Sequence, residues 1–258
     1  MKKIWLSALD SCRQEVPQTR TLLQKYGLEV DGHFWQDDPA KMAWAAPRPS
    51  LVDKKSDLWA ILASSQDLST PSIRYGLALL ALTIQAANGH DFPIVIMSPP
   101  GQTIAHESLP TPLCGSNLLA LDNPTCGAKI VAWAHKHTKK SLPPYRLDVY
   151  GIPQIGQWFE VGPRDERWAG ALFGTCGAEP CLHTVGAAGQ LPEKSVLHFP
   201  QRGLEIDCQG QKFTAWAVQN DLDPASSYYI KVDGQPEAIL FSAYSTGETP
   251  EVFVLRLK

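Results

Sequence analysis

The segment from Asp57 to Ala63 constrains the fold of this chain more than any other. After its first residue it reads Leu-Trp-Ala-Ile-Leu-Ala, an unbroken apolar run. A strand with one solvated face alternates apolar and polar residues, whereas an unbroken run of this length is typical of a parallel strand covered on both faces. The segment therefore predicts an α/β sheet flanked by helices.

The residues around this run alternate between strand and helix patterns. The predicted order begins with a strand over Lys3 to Leu9, a helix capped by Asp10 or Ser11 and stopped by Gly27, and a strand from Leu28 to the turn Asp37-Asp38-Pro39. An irregular stretch from Ala40 to Lys55 precedes the strand Asp57 to Ala63, which is followed by a polar loop from Ser64 to Ser69 and a helix from Pro71 to the terminating Asn88-Gly89. The last predicted elements are strands over Phe92 to Met97 and Asn117 to Leu121 and a helix from about Thr125 to Lys140. Strands and helices in this order indicate a parallel sheet with right-handed crossovers. The predicted architecture is flavodoxin-like.

The pattern changes after Ser141-Leu142-Pro143-Pro144, which we interpret as a domain boundary, with an α/β domain over 1–142 and a β-rich domain over 143–258. No later segment sustains a helical period. Runs typical of strands recur at Arg146 to Tyr150, Trp158 to Val161, Val196 to Phe199, Leu204 to Asp207, Phe213 to Val218, Tyr228 to Val232, Ala238 to Ala243 and Val252 to Leu257. Short strands at such regular spacing predict an antiparallel sandwich or barrel.

Composition and charge exclude several classes of protein. The net charge is −3, and the one basic run, His135 to Lys140, lies at a predicted helix end, where cations are favourable, so no nucleic-acid partner is expected. No stretch approaches the length of a membrane span, and Asp10 and Arg13 interrupt any signal sequence. The six cysteines are scattered, as is typical of free thiols. We expect a cytoplasmic protein without a membrane partner.

Three common nucleotide-site and hydrolase motifs are absent. The chain has no G-x-G-x-x-G after its first strand and no G-x-x-x-x-G-K-[ST], so neither a Rossmann fingerprint nor a Walker loop supports a cofactor. It also has no G-x-S-x-G, which removes the usual serine-hydrolase interpretation. No cofactor is assigned, and a nucleotide or NAD remains open as a ligand.

The first 140 residues or so nevertheless resemble a known family at three places. These are the first strand ending in Ser7, the segment Lys25-Tyr26-Gly27-Leu28-Glu29-Val30, and the segment Ser56 to Ser64. They look like the opening, second and third strands of TIR domains, and the related nucleoside 2-deoxyribosyltransferases share the layout. The loop from Ser64 to Ser72 and the helix through Gly76-Leu77-Ala78 are similar to both families.

The resemblance implies a particular catalytic residue that this chain does not have. Active members of both families carry a glutamate near the start of this helix, where it engages the ribose during cleavage at the glycosidic carbon. Ile73-Arg74-Tyr75 occupies that place here, and an arginine opposes positive charge on a ribose. Asp67 is the only acid in the loop, so it is the one candidate for the catalytic carboxylate.

A ligand in an open parallel sheet lies beyond the carboxyl ends of the strands, where the strand order reverses. The residues predicted to line that crevice are Ser7, Asp10, Trp35, Ser64, Gln66, Asp67, Ser98 and Gly101, with Arg74 beside them. Serines and backbone amides can hold a phosphate, Trp35 can stack on a base and Arg74 can pair with an anion. The alternative is that the serines cap loops, Trp35 packs in the core and Arg74 is solvated.

The cysteines are weaker candidates for a metal site or a reactive thiol. Cys176, Cys181 and His183, with His198 or Cys208 as a fourth ligand, can be combined into a zinc site, although free thiols and a surface histidine explain the same residues. Cys114 can be an exposed thiol. Cys126, at a predicted helix start, has either a thiol pKa lowered by the helix dipole or the role of a small apolar filler.

Three functions remain compatible with these patterns. The first is a TIR-like protein without ordinary glycosidic catalysis that binds a nucleotide-type ligand or a protein partner, with the β-rich domain as a second interaction surface. The second is a hydrolase or transferase that cleaves NAD or a nucleoside through Asp67, with Ser64 and Trp35 positioning the ligand. The third is a structural module that forms homo-oligomers.

Overall fold

The computed structural model describes residues 1–52, 56–136, 142–245 and 251–258. The chain divides into two compact units, Met1–Ser141 and Leu142–Lys258. Residues 137–140 of the predicted basic run, and Ser141 of the predicted boundary, lie outside the described residues. Across the described part of the chain, no helix combines the length and apolarity of a membrane span.

The first unit alternates strands and helices as expected. Its elements are β1 (Lys3–Ala8), α1 (Val16–Lys25), β2 (Glu29–Phe34), α2 (Arg48–Val52), β3 (Leu58–Leu62), α3 (Ser65–Ser69), α4 (Pro71–Asn88), β4 (Ile94–Ser98), β5 (Asn117–Ala120) and α5 (Cys126–His135), with short 3-10 helices at Asp10–Glu15, Pro39–Lys41, Ala43–Ala45, His106–Ser108 and Thr111–Leu113. The sheet order is β2-β1-β3-β4-β5, and every described pairing is parallel. This is the flavodoxin-like order, so the predicted fold class is confirmed.

The apolar residues of the strands form the core of this unit. On one face of the sheet, Ile4, Leu6 and Leu58 pack with Leu23 of α1 and Ile130 of α5. Helix α4 is different, because ten consecutive residues, from Tyr75 to Ile84, are buried. A helix that is apolar all round is a core helix rather than a surface one. Its C-terminus is set by Gly89, whose φ of 91° ends the helix after Asn88.

Three local predictions in this unit are wrong. The stretch from Ala40 to Lys55, predicted as irregular, contains helix α2, and its residues 53–55 lie outside the described part of the chain. The segment predicted as a polar loop from Ser64 to Ser69 contains a helical turn, α3, which begins with a capping box of Ser64 and Asp67. Neither Asp10 nor Ser11 caps the helix after β1, because a 3-10 turn intervenes and α1 begins only at Val16, without a side-chain cap. The Ser11 hydroxyl points instead at Ser64 and Asp67.

The second unit consists of antiparallel sheets. Its strands are β6 (Tyr145–Ile152), β7 (Gly156–Pro163), β8 (Ala171–Cys176), β9 (Glu179–Ala187), β10 (Gln201–Cys208), β11 (Gln211–Val218), β12 (Ser226–Asp233), β13 (Ala238–Ala243) and β14 (Phe253–Arg256). They form a five-stranded sheet, β10-β11-β8-β13-β14, and a four-stranded sheet, β6-β7-β12-β9. Ring pairs join the two sheets, such as Phe159 with Phe173, whose centroids are 5.2 Å apart. The predicted β-rich region is confirmed, in the form of a two-sheet sandwich.

The prediction of a strand over Val196 to Phe199 is wrong. Both end residues are 75% exposed, Phe199 has a φ of 44°, and Asn220 holds this segment by accepting from the His198 amide and donating to the Val196 carbonyl. Strands β8 and β9 were missed, because glycines, threonines, cysteines and a proline interrupt their apolar pattern.

Gly32 of β2 marks a close approach between two strands. It pairs with Leu6 of β1 and is itself exposed to solvent. A Cβ built on Gly32 would overlap the Leu6 carbonyl oxygen, so the backbone here accepts only glycine without moving.

We predict that Gly32→Ala lowers the free energy of unfolding by about 1 to 3 kcal/mol, the range for overpacking, because β1 and β2 must separate locally. The matched control is Gly115→Ala, where a Cβ meets nothing within 4 Å and the change should stay within about 0.5 kcal/mol. Urea unfolding followed by circular dichroism measures both. Equal midpoints for the two variants would contradict the prediction.

Candidate functional site

The carboxyl edge of the parallel sheet is the candidate site. Strand β1 lies between β2 and β3, so the chain leaves β1 and β3 in opposite directions. Such a reversal opens a crevice beyond the strand ends, which is where ligands of this architecture bind. The segments that follow β1, β3 and β4 meet at this edge.

Asp67 lies at the centre of the reversal and is 8% exposed. Its Oδ2 accepts hydrogen bonds from the Ser64 amide at 2.8 Å, from the Ser64 hydroxyl at 2.7 Å and from the Ser11 hydroxyl. The Ser11 hydroxyl also lies 3.1 Å from Ser64 Oγ. One carboxylate oxygen thus ties the turn after β1 to the turn after β3.

Further hydrogen bonds continue along the edge. The Ser65 amide donates to Gln102 Oε1 at 3.1 Å, which joins the β3 and β4 segments. Ser98 Oγ donates to the Gln102 carbonyl at 2.9 Å. The Gly101 amide donates to Asp122 Oδ2 at 3.2 Å, which reaches the segment after β5. The edge is therefore a connected polar rim.

The structure separates the predicted crevice residues into two groups. Ser7, Trp35 and Ser98 are at most 5% exposed, and the Ser7 oxygen accepts from the Trp59 indole at 2.8 Å. Asp10, Gln66 and Gly101 are exposed, and Asp10 forms an ion pair with Arg13 at 2.9 Å. Ser64 and Asp67 are also buried, at 6% and 8% exposed. Ligand contact by any of these residues stays a prediction.

Trp35 lines a small cavity between the segment after β2 and the start of α4. Trp44, Tyr75 and Gly76 line it as well, and its volume of about 10 Å³ is that of roughly one water molecule. Trp35 is packed tightly here, since a Cβ on Gly76 would lie 2.8 Å from the indole ring. Among the described residues, neither the Trp35 nor the Trp44 indole nitrogen has a hydrogen-bond partner. Trp35 therefore forms the floor of this small cavity, with its ring covered.

The first turn of α4 adjoins this floor. Ser72 Oγ donates to Asp37 Oδ2 at 2.6 Å and so ties the start of the helix to the segment after β2. The turn has no side-chain cap and no acidic residue. Arg74 is half-buried in this turn. The Arg74 guanidinium and the helix start favour an anion here, whereas the Asp37 carboxylate bound to Ser72 opposes one.

Several residues of the edge were missed or misread from the sequence. Ser11 was considered only as a cap, and Ser65, Ser72, Trp44 and Gln102 were not singled out. The sequence did carry one usable signal, since Ser64-Ser65-Gln66-Asp67 matches the capping-box spacing.

The cysteines behave as small apolar residues or as surface thiols. Cys126 is 1% exposed, and burial raises the pKa of its thiol, so the alternative of a lowered pKa is wrong. Cys114 is exposed, with its sulfur 3.5 Å from the Pro110 carbonyl.

His183 is engaged by two neighbours in the sandwich. Arg202 Nε donates to His183 Nε2 at 3.3 Å, and His183 Nδ1 lies 2.9 Å from the Tyr228 hydroxyl. Cys176 is on β8, whereas Cys181 and His183 are on β9. Within the described ranges, no group of three or more histidine, cysteine, aspartate or glutamate side chains is placed to hold a metal ion.

A second buried carboxylate lies in the sandwich and was not predicted. Glu160 is 2% exposed and accepts from the Tyr150 hydroxyl at 2.6 Å, the Ser227 hydroxyl at 2.7 Å and the Gly189 amide at 2.8 Å. Burial and the adjacent Glu160 charge raise the pKa of Tyr150. Because both carboxylate oxygens are hydrogen-bonded within the protein, this cluster is structural.

No family model matches the sequence, and no curated protein is significantly similar to it. Among solved structures, a 3-dehydroquinate dehydratase-like protein from Bifidobacterium longum is 16% identical with a TM-score of 0.37, over 54% of this chain and 100% of its own. FixJ-N is 15% identical with a TM-score of 0.35, over 54% of this chain and 97% of its own. A two-domain esterase (CEX) active on acetylated mannans is 8% identical with a TM-score of 0.33, over 99% of this chain and 90% of its own.

We predict that Asp67→Ala lowers the free energy of unfolding by about 1 to 2 kcal/mol, because it removes the capping box and leaves the Ser64 amide unpaired. The control Asp10→Ala removes an exposed carboxylate and should change stability by at most about 0.5 kcal/mol. Chemical denaturation of both variants measures the difference. An Asp67→Ala protein as stable as the control would show that the hydrogen bonds at the strand reversal contribute nothing.

We predict that His183 makes the sandwich less stable in acid. Burial and the Arg202 charge lower its pKa from 6.5 to about 4. Because the folded pKa lies below the unfolded one, the stabilisation is fully present above pH 6.5 and is lost as the pH falls towards 4. The loss should reach about 1 to 3 kcal/mol.

Unfolding curves at several pH values test this prediction. His183→Gln should make the dependence between pH 6.5 and 4 shallower without removing it, because burial also lowers the pKa of His33 to about 4. His106→Gln, at an exposed histidine, should leave it unchanged. A slope that His183→Gln does not alter would assign the acid sensitivity to other groups.

Proposed function

We propose that the first unit is a TIR-like module that binds a nucleotide-type ligand at the carboxyl edge of its sheet without cleaving a glycosidic bond. The engagement of Asp67 Oδ2 by Ser11 and Ser64 carries the proposal. In this proposal the second unit supplies a further interaction surface.

The state of Asp67 opposes glycosidic chemistry. A carboxylate that stabilises or attacks a ribose cation must present an oxygen to the ligand. Asp67 is 8% exposed and its Oδ2 accepts three hydrogen bonds that hold the carboxylate in the capping box, so Oδ1 is the oxygen left to face a ligand. The position where the resembling families carry a glutamate is filled by Ile73-Arg74-Tyr75, and the Arg74 charge would repel a developing cation.

The rest of the edge supports binding of an anionic, hydroxyl-rich molecule. Ser11, Ser65 and Gln66 are exposed polar residues beside the strand reversal. The first turn of α4 contains Arg74 and no acidic residue of its own, although the Asp37 carboxylate accepts a hydrogen bond from Ser72 there. Hydrogen bonds to charged groups are about twice as strong as neutral ones, so a phosphate at this turn would supply a large part of the binding free energy.

We predict that Arg74→Ala weakens the binding of nucleotides by about 1.5 to 3 kcal/mol and that Arg74→Glu weakens it further by repelling the phosphate. Isothermal titration of a nucleotide panel that includes NAD measures the affinities. Arg20→Ala is the control, since Arg20 is an exposed arginine on α1. If all four proteins bind equally, Arg74 is outside the site; if none binds any nucleotide, the proposal fails.

A second arm of the same experiment separates binding from catalysis. The pure protein is incubated with NAD and with nucleosides, and the free base is quantified by chromatography. We expect binding without release of base. Rapid release that is abolished in Asp67→Asn, with the fold retained by circular dichroism, would overturn the proposal in favour of a glycosidic hydrolase or transferase.

A further inference from the structure

Strand β2 forms one edge of the parallel sheet, and its outer backbone groups point away from it. The Glu29 amide donates to the Lys2 carbonyl at 2.9 Å, and the Trp35 amide donates to the Ala8 carbonyl at 2.8 Å. Odd-numbered residues therefore bond towards β1. The backbone amides and carbonyls of successive residues in a strand point to opposite sides. Those of Val30, Gly32 and Phe34 therefore point away from the sheet.

The side chains of β2 alternate in the same way between the two faces of the sheet. Val30 packs in the core beneath α1, and Phe34 shares its face. On the opposite face, Asp31 Oδ2 lies 3.8 Å from Lys3 Nζ, and His33 Nδ1 accepts from the Trp5 indole at 3.1 Å. The edge thus presents an apolar pair on one face and a polar pair on the other.

This arrangement is complementary to itself in one antiparallel register. If Gly32 faces Gly32 of a second copy, Val30 lies opposite Phe34 of that copy and Asp31 lies opposite His33. Both pairs occur twice because of the two-fold symmetry. All outward-facing residues then fall at hydrogen-bonded positions of an antiparallel ladder.

The polar pair is chemically matched. The Trp5 indole donates to His33 Nδ1, so the neutral ring carries its proton on Nε2 and can donate it. Asp31 Oδ1 now accepts from the Gly32 amide at 2.8 Å. Pairing would transfer that amide to the Gly32 carbonyl of the second copy and release the Asp31 oxygen for His33.

The apolar pair is matched as well. Phe34 is 42% exposed, and the Arg13 guanidinium lies 4.2 Å from the centre of its ring. A groove of about 200 Å³ runs beside the strand and is lined by Val16, Val30 and Phe34. In the pair, Phe34 of each copy would enter the groove of the other copy.

We propose that two copies of this chain pair antiparallel through β2, with Gly32 at the two-fold axis, and so join their parallel sheets into one continuous sheet. The occupant of the edge is a second copy because the polar pairing and the apolar pairing are both satisfied by the strand itself. An edge strand that exposes a phenylalanine without such a partner is a site of nonspecific association.

Sedimentation velocity over a wide range of protein concentration tests the proposal. We expect a reversible dimer in the wild type and a dissociation constant raised at least about tenfold by Phe34→Glu, which buries a charge at the interface. Tyr26→Glu is the matched control, because Tyr26 is 43% exposed and lies outside β2. A wild type that stays monomeric throughout, or a dimer that Phe34→Glu leaves intact, would overturn it.

A cross-linking experiment tests the register independently of stability. In a background where the exposed Cys114 and Cys181 are replaced by serine, Asp31→Cys and His33→Cys are prepared separately and then mixed under mild oxidation. Directly opposite residues lie within disulfide range, whereas those two positions apart do not. Disulfide dimers should form in the mixture and not in either variant alone. Equal cross-linking in all three samples, or none in the mixture, contradicts the register.

Discussion

One carboxylate oxygen organises the carboxyl edge of the sheet in the first unit. Asp67 Oδ2 accepts from the Ser64 amide and from the hydroxyls of Ser64 and Ser11, and these groups belong to the two turns that diverge where the strand order reverses. Each hydrogen bond to a charged group contributes more than a neutral one, and the Ser64 amide would otherwise be buried without a partner. The shape of the crevice therefore depends on a residue that, read alone, resembles a catalytic acid.

The same interaction is linked to the hydrogen bonds along the rest of the edge. Ser65 follows Ser64 directly and donates to Gln102, so the position of the β3 turn also fixes the β4 segment. Gly101 then reaches Asp122 beyond β5. A site held in this way gains affinity because little conformational entropy is lost on binding. A movement of Asp67 towards a ligand would also break the hydrogen bonds of the rim.

The central strands of the first unit could be predicted because they are buried on both faces and therefore almost wholly apolar, as in Leu58–Leu62 and in Ile94–Ser98 before its final serine. The hydrogen-bond partners of polar side chains could not be predicted. Ser11, for example, contacts Asp67 only because the fold brings distant segments together. Strands β8 and β9 could not be predicted because their residues have a weak β-propensity. Pairing with neighbouring strands in the folded sheets imposes their extended structure. In contrast, Val196 and Phe199 have strand-forming character but remain exposed.

Helix α4 is buried along ten consecutive residues, yet its first turn, with Ser72 and Arg74, reaches the carboxyl edge. The backbone amides of such a helix exchange their hydrogens with solvent only when the whole unit opens, whereas surface turns exchange through local fluctuations. A molecule held at the first turn of α4 is thus anchored to the element that opens last. Its binding free energy would slow hydrogen exchange throughout the sheet, far from any atom it touches.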